Sequence, residues 1–330
     1  MMPWPKKPFI YQINTYVWLN SLSRTYKRPI TLETVPDKVL NELADYHVDA
    51  IWLMGVWQRS HAARASALNY QHEYRGALPD LTTDDVIGSP YAIGAYQVEE
   101  RFGGRIGLAL FRKRLQERGI RLVLDFVPNH VATDHAWIAM HPDYFVQGTQ
   151  QDLRTRSSDF FSTKNFLVKP LVVAHGRDPY FPGWIDTAQL NAFHSGLRRA
   201  SLTTLLDIAS QCDAVRCDMA MLMLNDVFAH TWGAQAGERP ATEYWEDIIP
   251  QVKKAYPEFN FIAEVYWDME ARLHHLGFDF CYDKRLYDRI RENKINDIRA
   301  HLIAPIEFQN RLVRFIENHD EQRAAAAIGI

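Results

Sequence analysis

Seven side chains able to carry charge fall at or just past the ends of short apolar runs. They are Asp125 and His130 in "LDFVPNH", Arg216 and Asp218 in "AVRCDMAM", Glu264 in "FIAEVYW", and His319 with Asp320 in "RFIENHD". If the runs are parallel strands, their C-terminal ends share one rim, and acids, an arginine and two histidines converge there. Strand alternation places Arg216 and Asp218 on one face and Cys217 on the other. Each residue alone has an ordinary use, as a helix cap, an ion pair or a satisfied polar group. On four strands in succession those uses would have to coincide, so a shared site is the better reading. Carboxylates without a cysteine or histidine cage suit two chemistries. Metal-assisted hydrolysis is one, but HxH and HExxH spacings are missing. Glycosidic cleavage is the other. A retaining enzyme needs a nucleophilic carboxylate and a second carboxyl of raised pKa, about 5–5.5 Å apart. A third acid can hold sugar hydroxyls and, by repulsion, keep the donor protonated.

The rest of the chain supplies elements able to position such a rim. Apolar runs at 9–19, 48–57, 120–128, 213–221, 259–267, 277–283 and 311–318 alternate with helical patterns at 34–46, 107–119, 196–210, 242–256 and 284–302. In "GLALFRKRLQERG", Leu108, Phe111 and Leu115 form one apolar stripe and Gly119 supplies the stop. Alternation of this kind, with strands apolar on both faces, predicts a parallel sheet covered by helices, and seven units favour an α/β barrel over an open doubly wound sheet. No GxGxxG or GxxxxGK[ST] follows the first strand, which argues against nucleotide cofactors. The connection from the third strand to the helix at 196 is too long for an ordinary βα loop and reads as an inserted lid. This divides the chain into 1–130 (strands one to three), 131–190 (the insertion) and 191–330 (strands four to seven).

With 47% hydrophobic and 23% charged residues, the composition is that of a globular protein with a substantial core. A net charge of −3 without a basic stripe argues against nucleic acid. No apolar stretch suits a membrane span, and Cys212, Cys217 and Cys281 lack CxxC spacing, which predicts reduced thiols and a cytoplasmic protein. Nothing in the sequence sets an oligomeric state.

The segments 124–130, 214–221, 261–267 and 314–320 resemble, in order, the four signature regions of the α-amylase family, glycoside hydrolase family 13. "AQLN" (188–191) is similar to a further region near the end of that family's inserted subdomain, and "IGSPYAIGAYQVEERFGG" (87–104) to its loop after the second strand. The resemblance implies a (β/α)8 TIM barrel with an insertion after strand three, acting on α-glucans or small α-glucosides. It further implies Asp218 as nucleophile, Glu264 as acid/base and Asp320 as the acid on the sugar's 2- and 3-hydroxyls. By the same resemblance His130, His319 and Tyr91 contact the same sugar, Arg216 keeps Asp218 ionised, and Asp125 orients its neighbours. Tyr91 reads equally well as a rim-packing aromatic. Cleavage would proceed through a covalent glycosyl-Asp218 intermediate. A transglycosylase using the same residues is the second reading, and a non-catalytic homologue the third. No cofactor is required. Calcium is the ion to consider, with Asn129 as its candidate ligand, but the family's Lys-His pair past the nucleophile is Met221-Leu222 here, which argues against it. The eighth strand and the C-terminal β-domain of the family are not found before Ile330, so the sequence reads as truncated and the outer strands are expected to present open edges.

Overall fold

A computed structural model describes residues 4–165, 167 and 169–329. Its centre is a parallel sheet of seven strands arranged in chain order. These are β1 (Ile10–Asn14), β2 (Ala50–Met54), β3 (Arg121–Phe126), β4 (Ala214–Cys217), β5 (Asn260–Ala263), β6 (Phe280–Tyr282) and β7 (Leu312–Val313). In β2 and β4 every residue is buried, as a sheet covered on both faces requires. Helices α1 (Thr15–Tyr26), α2 (Asp37–Asp45), α3 (Gly104–Gln116), α4 (Ser195–Gln211) and α5 (Tyr244–Ala255) lie in the connections. The predicted stripe of α3 is the face it buries, with Leu108, Phe111 and Leu115 in the main core.

The sheet is curled. Arg216 on β4 lies over Trp52 of β2 and donates to the Tyr282 hydroxyl of β6, contacts that a flat sheet of this strand order would keep apart. Gln12 of β1 meets His319, beyond β7, at 2.7 Å. Among the described residues no backbone ladder joins β1 to β7, so the two edges face each other unpaired. Between them opens a cavity of about 490 Å³ whose walls include Ile10, Val123, Arg216, Ile262 and Phe315.

Several elements differ from the expected bounds. The run 9–19 is a strand only to Asn14, whose side chain accepts from the Val17 amide and starts α1. The run 48–57 breaks at Gly55 (φ +73°), where an added Cβ would lie 2.6 Å from Arg59 Nη2. Trp57–Arg59 then pairs with an antiparallel strand, Ile93–Val98, that the hydrophobic pattern does not reveal. The helix expected over 284–302 is two, α6 (Lys284–Arg291) and α7 (Ile295–Leu302), split by Asn293 in the left-handed region. The seventh strand is paired only at Leu312–Val313, so Asn318-His319-Asp320 sits on a loop beyond it and not at a strand tip. The short helix α8 (Ala324–Ile328) begins at the alanine run.

The connection between β3 and α4 carries two antiparallel pairs, His130–Ala132 with Thr187–Gln189 and Phe160–Lys164 with Pro170–Ala174. It has a small core of its own, including Val131, Ile138, Phe145, Val173 and Leu190. None of the described helices is long and apolar enough to cross a membrane.

Candidate active site

The site is organised around Arg216. Its guanidinium, 1% exposed, places Nη1 2.7 Å from Asp218 Oδ1 and 3.5 Å from Asp125 Oδ1, and Nη2 2.7 Å from Glu264 Oε2. The Asp218 contact is a directed hydrogen bond, whereas Nη2 meets Glu264 off the hydrogen-bond line, a charge contact above all. Strand register makes this possible: Arg216 lies beside Asp125 on β3 and Ile262 on β5, and Asp218 is one alternation further along the same face. Just past β4 the chain turns through Met219 in the left-handed region (φ +41°), uncommon for a non-glycine residue. That turn aims the Met219 amide at Glu264 Oε2, 2.7 Å away, and the Ala220 amide at the Glu264 carbonyl, 2.9 Å away.

Three of the four acids are buried, and burial is the first influence on each. It raises Asp125 to about 7 despite the nearby Arg216 and the bonds from Gly55 N and Trp52 Nε1. It also raises Asp218 and Glu264, with Arg216 pulling both back. Asp218 and Glu264 lie within hydrogen-bonding reach of each other. Two acids that influence each other this closely titrate as a pair. Asp320 stands at the mouth, where partial burial and then the Glu264 charge raise it to about 6. The Asn318 carboxamide accepts from the Asp320 and Glu321 amides and fixes this turn.

His319 connects the mouth to β1 and to the loop after β2. Its Nδ1 is 2.7 Å from Gln12 Nε2, a donor, so Nδ1 accepts and Nε2 bears the hydrogen. Nε2 faces the Tyr91 hydroxyl at 2.6 Å and Asp320 Oδ2 at 3.1 Å. Burial, then the Arg216 charge, lowers His319 to about 3, so the ring is neutral near pH 7. Tyr91 stacks on His319 with centroids 5.4 Å apart, and Arg216 lies 5.2 Å from its ring. The tyrosine thus belongs to this polar chain. His130 is buried and lowered to about 4 by that burial, and it packs on Trp184. All of the residues singled out from the sequence except Asn129 and His130 fall within this network of direct contacts; His130 instead meets Asn129, its Nδ1 3.4 Å from the Asn129 side-chain amide nitrogen.

Asn129 is committed elsewhere. Its Oδ1 accepts from Gln189 Nε2 at 2.8 Å and its Nδ2 donates to Gln189 Oε1 at 3.3 Å, closing a buried amide pair. Met221 and Leu222 are buried apolar residues. Among the described residues no group of three His, Cys, Asp or Glu side chains is arranged to hold a metal.

Three site residues escaped the sequence reading. Gln12 is an amide set between Ile10 and Ile13 in an otherwise apolar run, and that was its signal. Tyr266 follows Glu264 by two positions, and its hydroxyl donates to Glu264 Oε1 at 2.8 Å. Tyr282 reads as core and is core, yet its hydroxyl accepts from Arg216 Nε.

Comparison with known proteins gives the same reading. The family description Alpha amylase, catalytic domain, matches residues 31–193, a span that holds Tyr91, Asp125 and His130. Alpha-amylase MalA of Haloarcula japonica is 23% identical over 331 residues, covering 97% of this chain and 40% of that protein. Alpha-amylase 3 of Dictyoglomus thermophilum is 19% identical, covering 99% and 59%. The chain thus spans about half the length of these curated relatives. Among solved structures, an alpha-amylase from Lactobacillus plantarum superposes with a TM-score of 0.64 at 20% identity, covering 98% of this chain and 65% of that one, which shows the fold. Residues 31–193 thus match the catalytic domain of the α-amylase family, and the chain shares the fold of its solved members.

Proposed function

We propose that this chain cleaves α-glucosidic bonds with retained configuration, Asp218 acting as nucleophile and Glu264 as acid/base. One observation carries the reading: a single buried guanidinium contacts Asp218 and Glu264 at 2.7 Å each, with the two carboxyls within reach of one proton. A pair this close favours the retaining geometry, because an inverting pair stands about 6.5–9.5 Å apart to admit water. In the first step the Glu264 proton passes to the glycosidic oxygen, which leaves with the bonding electrons while an Asp218 oxygen bonds to the sugar carbon. In the second, water gives its proton to Glu264 and its oxygen displaces Asp218. Arg216 favours the ionised nucleophile through a charge-assisted bond. Asp320 and the neutral His319 offer an acceptor and a donor at the mouth, suited to vicinal hydroxyls. The substrate class is an α-glucan or small α-glucoside, in keeping with the names of the relatives. NMR of the first product formed tests the stereochemistry. The α-anomer should appear before mutarotation, and a β-anomer arriving first would mean an inverting site.

Calcium is dispensable on this reading, since Gln189 satisfies the Asn129 carboxamide. Melts in chelator and in added calcium should superimpose. A calcium-dependent rise beyond about 1.5 °C, roughly 1 kcal/mol for a chain of this length, would overturn it.

A further inference from the structure

The two oxygens of the Glu264 carboxyl are held differently. Oε2 receives the Met219 amide at 2.7 Å and faces Arg216 Nη2 at 2.7 Å. Both are nitrogens whose hydrogens cannot be withdrawn, one on the backbone and one on a permanent cation. A proton placed on Oε2 would collide with the Met219 N–H and be repelled by the fixed charge of Arg216. Oε1 has the Tyr266 hydroxyl at 2.8 Å, which can rotate and turn from donor to acceptor. Tyr266 is half-buried, two residues past Glu264 on the segment where the chain leaves the sheet. Burial, then the Glu264 charge, raises its pKa far above the usual tyrosine value, so it keeps its proton.

We propose that Tyr266 is the positioning residue of the acid/base, its hydroxyl marking Oε1 of Glu264 as the oxygen that carries the transferable proton. With Glu264 ionised, Tyr266 donates to Oε1. With Glu264 protonated, the proton sits on Oε1 and the tyrosine oxygen accepts it until a glycosidic oxygen takes that place. No atom is gained or lost by the tyrosine. Because it donates to the charged form, the hydroxyl holds the Glu264 pKa down against burial. The other titratable or charged groups facing Glu264 are Arg216 and Asp218 from the β4 end, Tyr282 from β6 and Asp320 from the loop past β7. None of these is altered by Tyr266→Phe, a change that removes one oxygen from a half-buried ring.

The inference rests on Glu264 being the acid/base, and its test separates the two ideas. The full chain is labelled with glutamate ¹³C-enriched at the side-chain carboxyl, and the Glu264 signal is assigned by its loss in Glu264→Gln. Tyr266→Phe should raise the Glu264 midpoint by about one unit, the worth of a hydrogen bond to a charged group. A midpoint that stays or falls overturns the proposal whatever the activity. In kinetics with an unactivated α-glucoside, the basic limb should move up by the same amount while KM holds. A shifted midpoint without any α-glucoside turnover would leave the Tyr266–Glu264 pairing standing and refute the glycosidase reading.

Discussion

Asp218→Asn should lower turnover of every α-glucoside by about 10⁴-fold or more, since the amide cannot form the glycosyl ester and no neighbouring group can replace it. Asp320 is at the mouth, Asp125 is bonded to Trp52 and Gly55, and Glu264 is held by Met219, Arg216 and Tyr266. The variant should fold, because Asn can still accept the Arg216 hydrogen bond. In the unaltered protein a fluorinated glycosyl donor, which slows both steps, should leave its sugar on Asp218. Peptide mapping reads the outcome directly, and a sugar found on any other residue removes Asp218 from its role.

The second large effect concerns Arg216. Arg216→Lys keeps a charge but loses the fork that reaches Asp218 and Glu264 together. Turnover near neutral pH should fall roughly 10²–10³-fold, in line with losing a charge-assisted contact or two. The sign of the pH effect follows from the shifts. Burial raises Asp218 and Arg216 opposes it, so weakening the arginine contact moves Asp218 further up. The nucleophile then remains protonated to higher pH, and the acidic limb of the rate profile moves up. Arg216→Met goes further by stranding buried acids without a cation, at about 3–5 kcal/mol of stability near neutral pH. That deficit should shrink on acidification as the acids take up protons. A rate profile for Arg216→Lys with its acidic limb unmoved would show that the arginine does not set the ionisation of the pair.

Much of this site was legible because a parallel barrel puts every strand's C-terminal end on one rim. Arg216 and Asp218 needed only the two-residue period of a strand. The loop residues were harder. His319 and Asp320 were found as a cluster, but the strand thought to carry them pairs only through Val313. Nothing in an apolar run shows where its ladder stops. Gln12, Tyr266 and Gln189 act through contacts set by tertiary geometry, two of them across hundreds or tens of residues. The split between α6 and α7 hangs on one asparagine adopting a backbone form that Asn tolerates but does not require.

The contact between Gln12 and His319 has a mechanical side. The curled sheet is a ring with a slot in its wall, and among the described residues no backbone ladder crosses that slot. What spans it at the top is a clasp of side chains, Gln12 to His319 to Tyr91, fastening the first strand to the segment past the last. On the proposed function the same imidazole grips the sugar, so a ligand that engages it would also buckle the ring. Substrate affinity and the integrity of the barrel are then linked quantities, each drawing on one neutral histidine.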